Sequence, residues 1–186
     1  PYELEPLTAE SMPEVRYINS LGEQVAETST DIAFTDYVIR IQKGIYYQQH
    51  PAFVNKPSGV AEYLNMNQLQ IDEIFEISDF AKTHTRELTA DDYVYQIKRL
   101  ANPAFHSPIL GLMGEYIVGL NELSKQLKDF TSQRDKQLWT DLRNFKLQGV
   151  EVIDRYQYRI RIKGLYPQFI YWLSMPFFSP MAYEVE

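Results

Sequence analysis

The run from Thr89 to Pro103 specifies a helix together with both of its ends. Thr89 is an N-cap whose hydroxyl is placed to accept from the amide three residues on, and Asp92 stands where its carboxylate can answer back. Asp91 and Asp92 put negative charge at the positive end of the helix dipole, while Lys98 and Arg99 put positive charge at the other. Val94, Ile97 and Ala101 recur at three and four residues, which makes one face apolar, and Pro103 forbids continuation. Adjacent helical residues diverge by about 100°, so Asp91 and Asp92 cannot face one another as an acid pair. They are read as capping groups.

A second pattern has period two. Tyr156, Tyr158, Ile160 and Ile162 alternate with Arg155, Gln157, Arg159, Arg161 and Lys163, which predicts a strand with one inward face. Val150–Ile153 and an Asp154-Arg155 turn precede it, so the pair reads as a hairpin. Tyr37, Ile39 and Ile41 alternate with Val38, Arg40 and Gln42 as a half-buried strand ended by Lys43-Gly44. A short strand is expected around Val15–Ile18, with a turn at Leu21-Gly22-Glu23. Helices are expected across 67–76, from a start at His106-Ser107-Pro108, over Leu120–Phe130, inside 134–145 through Leu138, Leu142 and Phe145, and from Pro167 to Leu173. Residues 48–66 read as irregular. Short helices mixed with antiparallel pairs predict an α+β fold with a small antiparallel sheet.

At 186 residues and 45% hydrophobic, the chain suits one domain over 1–186. A net charge of −7 argues against a nucleic-acid partner, whose phosphates would demand clustered Lys and Arg. No apolar run approaches the length of a membrane span. Zero cysteines rule out disulfides and thiolate sites. A chain beginning at Pro1, with neither Met nor a basic-then-apolar leader, is expected to be processed or excised.

His50, His84 and His106 are the residues to examine first for metal or acid–base chemistry. None lies four residues from another, no His-Glu-x-x-His occurs, and no metal site is expected. His50, followed by Pro51, is read as a loop residue bonding to backbone. No phosphate loop or Gly-x-Ser-x-Gly elbow is present. Arg159, Arg161 and Lys163 make a cationic strand face that would suit an anion. The favoured reading is a solvated face paired with carboxylates of a neighbouring strand, such as Glu151. Tyr156 and Tyr158 are assigned to the core. Phe177 and Phe178 point opposite ways in extended chain, so one packs while the other faces a cleft or a partner.

Several segments resemble one family in order along the chain. Arg40–Ile45 is similar to a strand end of the form Leu-Arg-x-Gly-Val. Leu88-Thr89-Ala90-Asp91-Asp92-Tyr93-Val94-Tyr95 resembles a Thr-Ala-Glu-Asp-Val helix signature, and Lys98–Pro103 an Arg-Leu-Ala-Asp-Pro helix end. Ser107-Pro108 sits where relatives carry Ser-Pro-Tyr. Gly149–Asp154 with Tyr158–Ile162 resembles a Gly-Val-Glu-Val hairpin, and Tyr166–Phe169 with Met175–Pro180 a proline-framed loop. Together these resemble the family 5 periplasmic solute-binding proteins, the oligopeptide and dipeptide receptors of ABC importers. One departure stands out: the family places Asp-Gly-x-Pro between strand and helix within a few residues. Here Gln48–Phe80 is inserted between Ile45 and Leu88, and Asp79 and Arg86 are the candidate remnants of that turn.

The resemblance implies a two-lobed fold that closes over ligand, of which this chain spans the extra subdomain and a margin of lobe I, ending at Glu186 before hinge and second lobe. It implies a binding protein rather than an enzyme, without cofactor or metal, holding a peptide or other small solute in the periplasm and delivering it to membrane permease subunits. Ile109 falls where the family's ligand-facing Tyr follows Ser-Pro, and the Met175–Phe177 loop is a second cleft edge. Ser107, Ile109, Met175 and Phe177 are therefore the candidate ligand-binding residues, with simple packing as the equal alternative. The rival reading is a ligand-sensing domain of a regulator with the same fold. A hydrolase would rest only on His and Asp residues that no motif assembles.

Overall fold

The computed structural model describes residues 3–133 and 139–186. In chain order the elements are β1 (Glu14–Ile18), β2 (Gln24–Val25), β3 (Phe34–Arg40), α1 (Gln68–Asp72), α2 (Ala90–Leu100), α3 (Leu110–Tyr116), α4 (Leu120–Ser132), β4 (Val150–Asp154), β5 (Gln157–Lys163) and α5 (Phe169–Trp172), joined by loops and short 3-10 turns. This is the expected α+β mixture with a small antiparallel sheet. One domain was expected over 1–186; the chain divides into two compact units. The first comprises the chain up to Gln42 with Thr89–Met181, the second Lys43–Leu88 with Ala182–Glu186.

The first unit is built on one sheet in the order β2-β1-β3-β5-β4, antiparallel throughout. In β5 the alternation does what its period demands: Tyr158, Ile160 and Ile162 are buried, and the intervening Gln157, Arg159 and Arg161 are half-buried. The β4–β5 hairpin forms, with the Asp154 carboxylate accepting from the Tyr156 amide at 2.8 Å inside the turn. Tyr156 corrects the expectation of an inward strand position, because Arg155 and Tyr156 are spent on reversing the chain and the strand begins at Gln157. β3 is also more than half-buried. It lies between β1 and β5, and Thr35 to Ile39 are buried on both faces.

α2 lies against β4 and β5, with its ends as written in the sequence. The Thr89 amide donates to the Asp92 carboxylate at 2.9 Å, and the Ala90 amide donates to the Arg155 carbonyl at 2.9 Å, pinning the helix start to the hairpin turn. The buried stripe is wider than Val94, Ile97 and Ala101, since Tyr93, Tyr95 and Leu100 join it. In α4, Leu123 and Leu127 are buried as expected, and Phe130 meets Phe145 edge-on at 5.1 Å. Of the helix expected inside 134–145, residues 134–138, Leu138 among them, lie outside the described residues. From Leu142 to Asn144 there is a 3-10 turn capped by Asp141. α3 begins at Leu110, later than its expected start, because His106 adopts a left-handed conformation (φ 46°) that closes the preceding turn. Gly149 opens the hairpin where a Cβ would stand 2.5 Å from the Val118 carbonyl oxygen, so only glycine fits.

In the second unit the chain doubles back on itself. The Leu88 amide donates to the Ile45 carbonyl at 2.8 Å and the Tyr47 amide to the Arg86 carbonyl at 3.0 Å, with Tyr46 paired to Glu87 between them. Further out, His50 and His84 exchange backbone hydrogen bonds at 2.8 and 3.2 Å. Arg86 donates twice to the Glu184 carboxylate, both at 2.6 Å, and its guanidinium lies over the rings of Tyr47 and Phe53. Asp79 caps a neighbouring turn, accepting from Phe75 and Glu76. The helix expected across 67–76 is reduced to α1, five residues started by an Asn67–Gln70 capping box. Its apolar spacing stays largely in water: Leu69 is 77% and Phe75 89% exposed, and Ile74 is half-buried. A helix this short has little stability of its own.

Candidate functional site

A hollow opens in the first unit where four parts of the sequence converge. The sheet contributes Ile39 and Tyr158, α2 contributes Tyr93, and α5 with the turn after it contributes Ile170, Leu173 and Phe178. The fourth wall is the segment Leu4–Pro13, a strap held to the chain just past β3 by backbone bonds: Glu10 N–H to Arg40 O and Gln42 N–H to Thr8 O, each 2.8 Å. The Gln42 side chain adds bonds to the carbonyls of Leu7 and Ala9. The hollow is half open to solvent and has a volume of about 390 Å³.

Two phenols, with Thr8, Ser11, Ser174 and Ser179 around them, bring polar groups to the hollow. The Tyr93 and Tyr158 rings stack at 5.1 Å with an interplanar angle of 14°. The Tyr93 hydroxyl shares a 2.6 Å hydrogen bond with the Thr8 hydroxyl of the strap. Burial raises the pKa of Tyr93, and raises that of Tyr158 well above the ordinary phenol value. Both therefore stay neutral hydroxyls near neutral pH, fit for hydrogen bonding and not for proton transfer. Among the described residues no group of three or more His, Asp or Glu is placed to hold a metal. His50 does what the sequence suggests, its Nδ1 accepting from the Ala52 amide at 3.1 Å.

Burial also pushes Tyr37 up to about 12. In the unfolded chain a phenol ionises near 10. Between those values the native state holds the proton that the unfolded state gives up. Stability from Tyr37 is thus fully present below pH of about 10 and falls as pH rises toward about 12. Urea midpoints measured across that interval are expected to drop as it is crossed. A native-state phenolate absorbance that titrates near 10 for every tyrosine refutes this.

Two of the three cations on this strand face, Arg159 and Arg161, are paired with carboxylates of neighbouring strands, while Lys163 is exposed. Arg161 donates to both oxygens of Asp36 at 2.7 and 2.8 Å, and Arg159 reaches Asp36 at 3.5 Å and Glu151 at 3.1 Å. Glu151 was legible as a partner; Asp36 was not, although it lies opposite Arg161 in the β3–β5 register and Arg16 in β1. The signal was a single acid in a mostly apolar strand. Hydrogen bonding to Asp36 raises the pKa of Arg161 further.

Of the four candidate ligand residues, only Met175 lines the hollow. Ser107 lies before α3 with its hydroxyl buried and without a hydrogen-bond partner among the described residues, and Ile109 is buried beside it. Phe177 is half-buried, its carbonyl accepting from the Gln96 side chain at 3.0 Å, while Phe178 is buried and lines the hollow. The sequence expected one ring to pack and the other to face a cleft from extended chain; Pro176–Phe178 is instead a 3-10 turn, and the same ring, Phe178, does both. The sequence missed the strap and gave Tyr158 to the core alone.

No protein-family model and no curated protein matches the chain. Solved structures similar to it include the pheromone receptor PrgZ, reported with its mode of peptide binding (TM-score 0.47, 16% identity, 95% of this chain and 22% of that one). They also include Listeria monocytogenes OppA bound to peptide (0.43, 14%, 92% and 25%). A third is the substrate-binding domain of an oligopeptide ABC transporter from Bacillus anthracis str. Ames (0.42, 13%, 92% and 24%). The chain spans about a quarter of the length of each. Among the described residues no helix is long and apolar enough to cross a membrane.

Proposed function

We propose that the chain is part of lobe I of the substrate-binding component of an ABC importer, serving oligopeptide uptake from the periplasm. Solute is held across from a second lobe outside these residues and handed to membrane permease subunits. The supporting observation is the backbone ladder that sets Leu88 against Ile45. It closes off the inserted residues at their base and sets Ile45 beside Leu88, which supports reading the strand end and the capped helix as one motif pair. A second support is the kind of chemistry present: neutral hydroxyls and apolar walls, suited to capture without reaction.

The full-length gene product, purified and then denatured, is expected to release short peptides identifiable by mass spectrometry. The 186-residue chain alone is expected to bind the same peptides far more weakly, because closure buries a ligand only between two walls. A micromolar affinity of the isolated chain for any of them would overturn the division of the site between lobes. A full-length protein that neither carries nor binds peptides overturns the ligand class.

A further inference from the structure

The hollow beneath the strap has a chemistry of its own, whether or not the chain serves an importer. We propose that it binds a small, neutral, mainly apolar molecule carrying one hydrogen-bond acceptor, such as a ketone or amide carbonyl, which takes the hydrogen bond of the Tyr158 hydroxyl. At about 390 Å³ the space falls in the size range of small-molecule sites, roughly 300–1,000 Å³. Ile39, Ile41, Ile170, Leu173 and Phe178 make its walls apolar, so an apolar ligand gains by leaving water.

The polar groups select within that class. Tyr93 is already satisfied by Thr8 at 2.6 Å. Tyr158 is 4% exposed and lines the same hollow, and its hydroxyl has no hydrogen-bond partner among the described residues. A ligand acceptor in the hollow gives that hydroxyl a partner that the described residues do not. Burial keeps the phenol protonated, so the hydroxyl is available to donate. No lining residue is cationic, and the single acid, Glu5, is an exposed residue of the strap. An anionic ligand would be buried without a counter-charge.

The probes are benzylacetone, a phenyl-alkyl ketone, and isopentylbenzene, the hydrocarbon of matching shape. Binding is followed by NMR on the chain, using the methyl signals of Ile170 and Leu173. Both probes are expected to shift those signals saturably. Tyr158→Phe, which removes only the unpaired hydroxyl, weakens the ketone roughly three- to tenfold and leaves the hydrocarbon within about twofold. Leu173→Trp fills the hollow and abolishes both, provided its spectrum remains that of a folded chain. Absence of saturable shifts with either probe overturns the site. An equal change for both probes on Tyr158→Phe overturns the role of the hydroxyl and hence the ligand class. Peptide capture by the full-length protein is a separate measurement, so either reading can fail without the other.

Discussion

Phe169→Ala is expected to destabilise the chain by about 3–5 kcal/mol, the cost of emptying a fully buried aromatic site. Phe169 is fully buried, with its ring 5.1 Å from Tyr37 on the sheet and 6.0 Å from Phe178. It is also the one buried residue of α5. A four-residue helix has no stability to fall back on, so its position depends on that single anchor. Thermal unfolding is expected to move down by roughly 6–20 °C, at about 2–4 °C per kcal/mol for a chain of this size. Ile170 and Leu173 should lose their defined environment, which methyl NMR reads directly. A loss below about 1 kcal/mol would mean that α5 is held by something other than this ring.

Asp36→Ala is expected to cost about 3 kcal/mol, near the low end for breaking a buried ion pair because the guanidiniums keep some water. Asp36 is 3% exposed and receives Arg161 through two bonds, with Arg159 beside it. Removing it leaves two guanidiniums on adjacent positions of one strand face with Glu151 as the remaining counter-charge. Asp36→Asn, which keeps the shape, is expected to recover part of the packing and little of the electrostatic contribution. Adding Arg161→Leu to Asp36→Ala should recover stability, since an uncompensated charge costs more than a lost pair. Urea midpoints of the four chains decide it. If the double variant is less stable than Asp36→Ala alone, Arg161 contributes mainly by packing its stem across the sheet.

These two sites differ in how far the sequence announced them. The α2 helix was legible to the residue at its start and to within a few residues at its end, because Thr89, Asp92 and Pro103 act within a turn of themselves. The β4–β5 hairpin was legible for the same reason, its period two carried by neighbours along one strand. Asp36 was not, because its meaning lies in which strand pairs with which: only the β3–β5 register sets it opposite Arg161. The hollow needed still longer reach, since its strap at residues 4–13 is bound by the chain near Arg40 and its far wall comes from residues 170–180. Residues 67–76 failed in the opposite direction. Their apolar spacing fits a helix face, but a period says nothing about whether a partner surface exists, and Leu69 and Phe75 face water.

The ladder that joins Ile45–Tyr47 to Arg86–Leu88 also bears on how such a chain can change over time. Its bonds run between main-chain amides and carbonyls, which every residue except proline supplies equally. Apart from Phe53, which is buried under Arg86, what lies between the two sides of this stem can therefore be lengthened or shortened without altering the pairing that closes it. Doubling the enclosed length costs only about 0.6 kcal/mol of closure entropy. Residues 48–84 are in that sense a region where new surfaces can be tried at small thermodynamic risk.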